Sequence, residues 1–353
     1  MGDTAMYDIN SILGRLRHAG ISYRTIDIGE DWSIVVTTYG GRIIGPFKRP
    51  HGESLLWLNA AFRSDNEFSK MIERSLPIGG ERMWISPEIQ FGCTDRRAFW
   101  ETLFVPQAVD PGDYSIESIS TDTVRLFQSI EIEAFNLANG KKKLFIERFI
   151  EPIDDPLGAI VGDRPFRSAL DFCGYRHTVR LRETHRDGIQ SESWSLAQVR
   201  PDGTMLFPTK GMPQTASYFG PVPESLVSSH PDRLECRIDG KAQYKIGIHR
   251  VSALGRIVYR QRIDNETDRL TVRVFPVDLA GHYADEPPQE RNNNGYCCHV
   301  YNDDGRFGGF GEMENMGSPI GGENRLMESF DRNTMLFYEG SPEVITSIQQ
   351  RFV

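Results

Sequence analysis

Two glutamates one residue apart, Glu312 and Glu314 in Gly311-Glu312-Met313-Glu314-Asn315-Met316, carry the plainest chemical signal in this chain. On a strand both side chains leave the same face, about 6.5 to 7 Å apart along the chain, and like-charged carboxylates at that range raise one another's pKa. Such a pair suits a general base poised near neutral pH, or the sharing of a cation. The neighbouring Asp303-Asp304-Gly305 run lacks the ligand spacing of a calcium loop and reads as a hairpin turn.

Three further segments hold residue types that bind or react. Gly79-Gly80-Glu81-Arg82-Met83-Trp84-Ile85-Ser86-Pro87-Glu88 places an Arg, a Trp and a carboxylate just after paired glycines that allow a tight turn. The guanidinium offers forked donors to hydroxyl or carboxylate oxygens, and the indole offers a flat face on which a sugar ring can stack. In Ser191-Glu192-Ser193-Trp194-Ser195-Leu196-Ala197-Gln198, alternation sends Glu192, Trp194, Leu196 and Gln198 to one face, a mixture that fits the floor of a polar pocket better than a dry core. In Tyr244-Lys245-Ile246-Gly247-Ile248-His249-Arg250, a regular strand puts Lys245, Gly247 and His249 on one face, with His249 the histidine best placed for proton transfer.

The elements that must hold these groups are strands. Trp32–Tyr39, Thr123–Phe127, His177–Thr184 and Arg269–Phe275 are β-branched or aromatic with apolar and polar residues alternating, so each is expected to be half buried. Turn formers separate such runs at Gly40-Gly41, Asn139-Gly140, Asp187-Gly188, Asp202-Gly203 and Asp239-Gly240. Only Tyr7–Gly20 has a helical period, with Ile9, Ile12, Leu13 and Leu16 on one side and a glycine suited to the C-cap. Closely spaced strands without alternating helices predict an all-β, antiparallel sandwich with a short N-terminal helix. No linker or composition shift divides the 353 residues, which are read as one domain spanning 1–353, with 1–20 its helical segment.

Composition narrows the partners. Forty Lys and Arg against 49 Asp and Glu leave a net charge of -9, with no cationic excess to neutralise a polyphosphate, so nucleic acid is excluded. No run approaches the ~18 apolar residues of a membrane helix, and Met1-Gly2-Asp3-Thr4 lacks a secretion signal's basic and apolar regions. A cytoplasmic protein with no membrane partner is expected. Five cysteines without CxxC spacing read as mostly buried thiols, and the adjacent Cys297 and Cys298 point oppositely on a strand, a poor chelate beside His299. No metal and no cofactor is expected. Lys141-Lys142-Lys143 reads as a solvated hairpin tip, and Tyr283–Asn294 as a long rim loop able to cover a pocket.

Taken together, Gly40-Gly41-Arg42-Ile43-Ile44-Gly45, Leu55-Leu56-Trp57-Leu58-Asn59, the Gly79-Gly80 segment and the late Glu-bearing strand resemble the galactose mutarotase-like (aldose 1-epimerase) superfamily. The order and spacing are most similar to a bacterial domain-of-unknown-function branch, over Asp31 to Val353. The resemblance implies a β-supersandwich with a carbohydrate pocket on the concave face of its larger sheet. It further implies a Glu that takes the anomeric hydroxyl proton and a His that protonates the ring oxygen, with polar groups holding the other hydroxyls. Glu312 or Glu314 matches the base, Glu312 slightly the better, and Arg82 falls near the substrate-holding position. Trp194 stands where the family brings its catalytic His, so another group, His249 or His177, must supply the acid, or the chain binds a sugar without turning it over. The expected site is therefore Glu312, Glu314 and His249 as catalytic groups, with Arg82, Trp84, Glu88, His177, Trp194 and Gln198 binding a small sugar or sugar derivative. A lyase or hydrolase on an oligosaccharide is the other reading, with Trp84, Trp100, Trp194 and Tyr218 as subsites in an open groove.

Overall fold

The structure is a computed structural model that describes residues 7–158 and 170–353; the Met1–Thr4 start lies outside the described residues. Two antiparallel sheets make up most of the molecule. From edge to edge the first runs Tyr23–Asp27, Trp32–Thr37, Ile43–Lys48, Glu81–Ser86, Glu192–Val199, Gly311–Met316, Tyr296–Asn302, Tyr244–His249 and Thr215–Ser217. The second has ten strands, with Asp268–Val274, Glu328–Gly340, Leu170–Glu183, Gly140–Pro152 and Val124–Ala134 side by side in its middle and far half. The sequence's turn formers fall between these strands, and the all-β sandwich expected from the alternation is what forms.

The helical period at the N-terminus becomes Ile9–His18. Asp8 caps it by accepting the Ser11 N–H at 2.9 Å, and Gly20, at φ 69°, lets the Ile21 N–H reach back to the Leu16 carbonyl at 2.9 Å. This helix and Asp65–Glu73 pack over the outer face of the first sheet, so that Ile12, Leu16, Phe62 and Phe68 meet Val35, Ile44 and Phe47. Their cover overturns one expectation, because Trp32–Thr37 is buried on both faces rather than half exposed. Val124–Ala134 keeps the expected alternation of buried and more exposed residues along its length. The lysine triplet also departs from a solvated tip. Lys141 and Lys143 pair with Glu131 at the surface, but Lys142 is fully buried between Glu183, Asp187 and the Ile189 carbonyl.

Between the sheets the core is apolar, built on residues such as Ile34, Met83, Leu144, Val179, Ala197 and Met313, with one cluster of charge set inside it. Glu81 is fully buried and its carboxylate takes three bonds, from Tyr175 Oη at 2.6 Å, from His177 Nδ1 at 3.0 Å and from Arg273 Nη2 at 2.8 Å. Arg148 donates from Nε to His177 Nε2 at 2.8 Å, so that nitrogen must be the bare acceptor and the imidazole proton sits on Nδ1, facing Glu81. Arg273 reaches on to Asn315 at 2.8 Å, and Asn315 to Asn333 at 3.0 Å. Burial opposes the charge on Glu81, but Arg273 and His177 outweigh it and hold the carboxyl down at about 2. His177, desolvated and facing Arg148, is pushed down to about 4 and is neutral. It is thus a structural residue buried between the sheets, which corrects its expected place among the sugar-binding groups.

Replacing Glu81 by Ala leaves the buried Arg273 guanidinium without its counter-charge and is expected to cost about 3–5 kcal/mol, read from the urea unfolding midpoint. Tyr175→Phe, which removes one hydrogen bond and no charge, is expected to cost only about 1–3 kcal/mol. The acid dependence follows from two depressed groups. Glu81 contributes stability fully present above its unfolded value of 4.5 and lost as pH falls towards 2, and His177 contributes stability lost as pH falls from 6.5 through 4. Unfolding midpoints of the native protein should therefore drop as pH falls below about 4.5, and the Glu81→Ala variant should show a shallower drop.

Candidate functional site

Register alone brings the sequence's scattered segments together. In the centre of the first sheet Arg82 lies opposite Leu196, Leu196 opposite Glu314, Glu314 opposite His299 and His299 opposite Gly247. One row along, Gln198 faces Glu312, Glu312 faces Tyr301 and Tyr301 faces Lys245, while Trp84 faces Trp194. Directly paired residues share a face, so all of these side chains leave the side of the sheet away from the second one. Their neighbours Glu81, Met83, Ser195, Met313 and Asn315 point inward to the core and its buried cluster. The alternation read for Glu192 to Gln198 is the one observed.

On this outer face lies a cavity of about 480 Å³ with Arg82, Trp84, Trp194, Lys245, Glu312 and Glu314 along its floor. Of the nine residues expected at the site, Arg82, Trp84, Glu88, Trp194, Glu312 and Glu314 line it, and His177, His249 and Gln198 do not. It lies on the nine-stranded sheet, the one with fewer strands, rather than on the larger sheet that the resemblance implied. Gln198 sits beside Glu312 but fully buried. His249 is diverted by an irregularity: the strand's register slips between Ile248 and His249, so the face shared by Lys245 and Gly247 is not continued. Its ring instead packs edge-on to Tyr296 and its Nδ1 accepts the Val251 N–H at 3.3 Å. Among the described residues no histidine lines the cavity.

Two acid–base pairs organise the floor. Arg82 Nη2 stands 2.8 Å from Glu312 Oε1, at ion-pair range but without hydrogen-bond alignment, and the guanidinium lies 4.0 Å from the centre of the Trp84 ring. Lys245 Nζ donates to Glu88 Oε2 at 2.8 Å and lies 3.8 Å from Glu314 Oε2, with the Trp194 ring 4.3 Å away. Trp194 itself donates from Nε1 to Glu314 Oε2 at 2.9 Å. Glu88 opens a single helical turn, Glu88–Phe91, directly after Pro87, and its backbone N–H is held by Asp285 at 3.0 Å. Farther up the wall, Arg42 and the Trp84 indole share Asp110, at 2.6 and 2.9 Å.

These surroundings separate the two glutamates electrically. Burial lifts both, but Arg82 beside Glu312 opposes the lift. Glu314 is pushed up to about 8, by desolvation first and then by the charges of Glu312 and Glu88, against the pull of Lys245. For Lys245, burial alone would release its proton; Glu88, Glu314 and Asp285 outweigh that and hold the ammonium above its ordinary value. Asp285, also desolvated, rises to about 7. At neutral pH the floor therefore presents a carboxylic acid at Glu314 next to a more readily ionised Glu312. Arg82 Nε, Arg42 Nε and Nη1, and Glu312 Oε1 are buried without a hydrogen-bond partner, the kind of group that a hydroxylated ligand satisfies.

Lys245, Arg42, Asp110 and Tyr301 were not among the expected site residues. Lys245 had a signal, its place on one strand face with Gly247; Arg42 stood only within the Gly40–Gly45 resemblance segment and Asp110 had no signal, since only the fold brings residues 68 positions apart to 2.6 Å. The segment Tyr283–Asn294 does not lie over the cavity. Residues 283–288 are buried, and Glu286 forms an ion pair with Arg96, whose Nε also donates to the Pro288 carbonyl at 2.8 Å. That buried clamp holds the turn leading to Phe99–Thr102 and Trp100 on the rim.

Among solved structures, a putative aldose 1-epimerase from Escherichia coli K12 superposes with a TM-score of 0.55, at 10% identity, covering 90% of this chain and 99% of its own. A galactose mutarotase-like protein from Lactobacillus casei gives a TM-score of 0.50 at 9% identity, covering 90% and 99%. At such identity the likeness concerns the fold. No curated protein matches the sequence. Residues 24–352 match the family of unknown function DUF6786; the chain belongs to that family, and its fold is galactose mutarotase-like.

Proposed function

We propose that this protein binds a free sugar in the cavity and interconverts its anomers by ring opening, with Glu312 as base and Glu314 as acid. The observation that carries the reading is the pair itself: two carboxyls on one face of one strand, inside one cavity, both raised by burial but unequally, with Arg82 restraining Glu312 while Glu314 is pushed up to about 8. In the forward direction Glu312 takes the proton of the anomeric hydroxyl as the C1–O5 bond breaks, a carbonyl forms at C1, and Glu314 delivers its proton to the ring oxygen. Rotation about C1–C2 and the reverse transfers regenerate the ring with the other configuration and both carboxyls in their first state. Lys245, 3.8 Å from Glu314, stabilises the carboxylate left after donation. Trp84 and Trp194 supply flat surfaces to the ring, and Arg82 and Arg42 supply donors to hydroxyls. A carboxylic acid thus takes the role that the family resemblance gave to a histidine.

The absence of a histidine from the described lining residues favours a second reading, a sugar-binding protein without turnover. Polarimetry or NMR of freshly dissolved hexoses separates the two. Turnover predicts equilibration faster than buffer, and a loss of about 10²-fold or more in kcat for Glu312→Gln and for Glu314→Gln; binding with equilibration at the buffer rate leaves only the sugar-binding protein.

The raised group at Glu314 has its own signature. Because its folded pKa of about 8 exceeds the unfolded 4.5, it contributes stability that is full below pH 4.5 and lost as pH rises through 8. Urea midpoints of the native protein should fall between pH 5 and 9 by more than those of Glu314→Gln, whose amide oxygen can still accept the Trp194 N–H. An equal fall in both proteins would remove Glu314 as the neutral acid.

A further inference from the structure

We infer that the ligand is amphiphilic: a saccharide whose anomeric end reaches the polar floor and whose far end carries an apolar chain that lies on the cavity's rim. This rests on the reading of the cavity as a sugar site. Among the described residues sixteen large apolar side chains are exposed, and six of them, Leu76, Trp100, Leu103, Phe104, Val105 and Phe307, line this one opening. They come from three separate connections, the turn after Asp65–Glu73, the segment 100–107 and the turn 303–310, so their meeting is a product of the fold and not of one greasy stretch of sequence.

Two of the three connections are fixed from behind. Arg96 and Glu286 clamp the approach to Trp100, whose ring packs on Phe99 and on Phe219, with centroids 5.2 and 4.8 Å away. The carboxylate of Asp303 accepts the N–H groups of Gly305, Phe307 and Gly309 at 3.0, 3.2 and 2.9 Å, holding Phe307 at the edge. Trp100 is nonetheless 47% exposed and Val105 41%, apolar side chains left facing water at the mouth of one cavity.

The occupant is chosen by what the surface adjoins. The apolar rim is continuous with a floor whose buried Arg42, Arg82 and Glu312 atoms lack partners, so a single molecule with one polar and one apolar end satisfies both. At about 480 Å³ the cavity falls in the range that encloses ligands larger than one pyranose. A second sugar ring finds aromatic faces at Trp100, Phe104 and Phe307 but few hydroxyl partners beside them, since Leu76, Leu103, Val105 and Pro106 offer none, and an acyl chain fits the rim better. Because the acid and base need a free anomeric carbon at the floor, the apolar group belongs at the opposite end of the ring, such as an ester on the C6 hydroxyl.

Titration calorimetry on the full-length protein tests this with D-glucose, D-galactose and D-mannose, each beside its 6-O-octanoyl ester below micellar concentration, and with maltose. At least one ester is expected to bind roughly tenfold or more tighter than its parent hexose, since a few buried methylenes suffice for that. The ratio should shrink several-fold in Trp100→Ala and in Leu103→Ser. Equal binding of ester and hexose, a ratio that survives both substitutions, or an equal gain for maltose would overturn the inference. If neither hexose nor ester binds, the sugar reading of the cavity and the inference fall together. A rim-dependent preference for the ester, with anomeric equilibration still at the buffer rate, upholds the inference while removing the catalytic reading.

Discussion

The buried ion pair of Glu81 with Arg273 is the constraint on which the site depends. It joins the strand that carries Arg82 and Trp84 to the middle of the opposite sheet, with both partners fully out of water. Taking two charges out of water is costly, and a pair in such a place needs further hydrogen bonds to its remaining lone pairs and protons. Tyr175, His177 and Asn315 supply most of them, with Arg148 behind His177 and only Arg273 Nε left without a partner, and they draw in strands from both sheets. An apolar cluster would hold the sheets together with less specificity, because apolar contacts tolerate sliding where hydrogen bonds do not. Here the direction of each bond fixes the strand register, and the register is what lines up the cavity floor.

That dependence explains what could be read from the amino-acid sequence and what could not. Period-two alternation is a local property, so the faces of Glu192–Val199 and Gly311–Met316, and with them Trp194, Glu312 and Glu314, were legible from residues one and two apart. In Gly79–Glu88 the same alternation puts Arg82 and Trp84 on the cavity side, and the helical turn after the strand brings Glu88 there too. Where a local pattern was interrupted by geometry without a sequence mark, it misled. Nothing in Ile248-His249-Arg250 announces the register slip that turns His249 away. His177 has the alternation of any strand residue, and whether its face meets a cavity or the other sheet is decided by topology.

Burial by other elements was equally invisible from one strand's composition. Trp32–Thr37 alternates as a half-exposed strand should, and two helices close its outer face because their own apolar stripes, Ile12, Leu16, Phe68 and Met71, need a partner. Lys142 lies within a triplet that reads as solvated, yet the strand's pleat drives the middle lysine inward, where Glu183 and Asp187 meet it. Both cases are non-local compensation, in which one exposed-looking group is completed by residues tens of positions away. The same applies to Arg42 and Asp110 at the cavity wall.

Glu81 and Arg82 are chain neighbours serving opposite sides of one sheet, and Glu314 and Asn315 repeat that arrangement two strands away. Insertion or deletion of a single amino acid within these strands would exchange the two roles at once, dropping a guanidinium into the interior while expelling the carboxylate that anchors it. Diversification in this architecture is thereby channelled into the connecting segments around Leu76, Trp100 and Phe307, where length and chemistry can drift and ligand preference can be remodelled without disturbing the reactive floor.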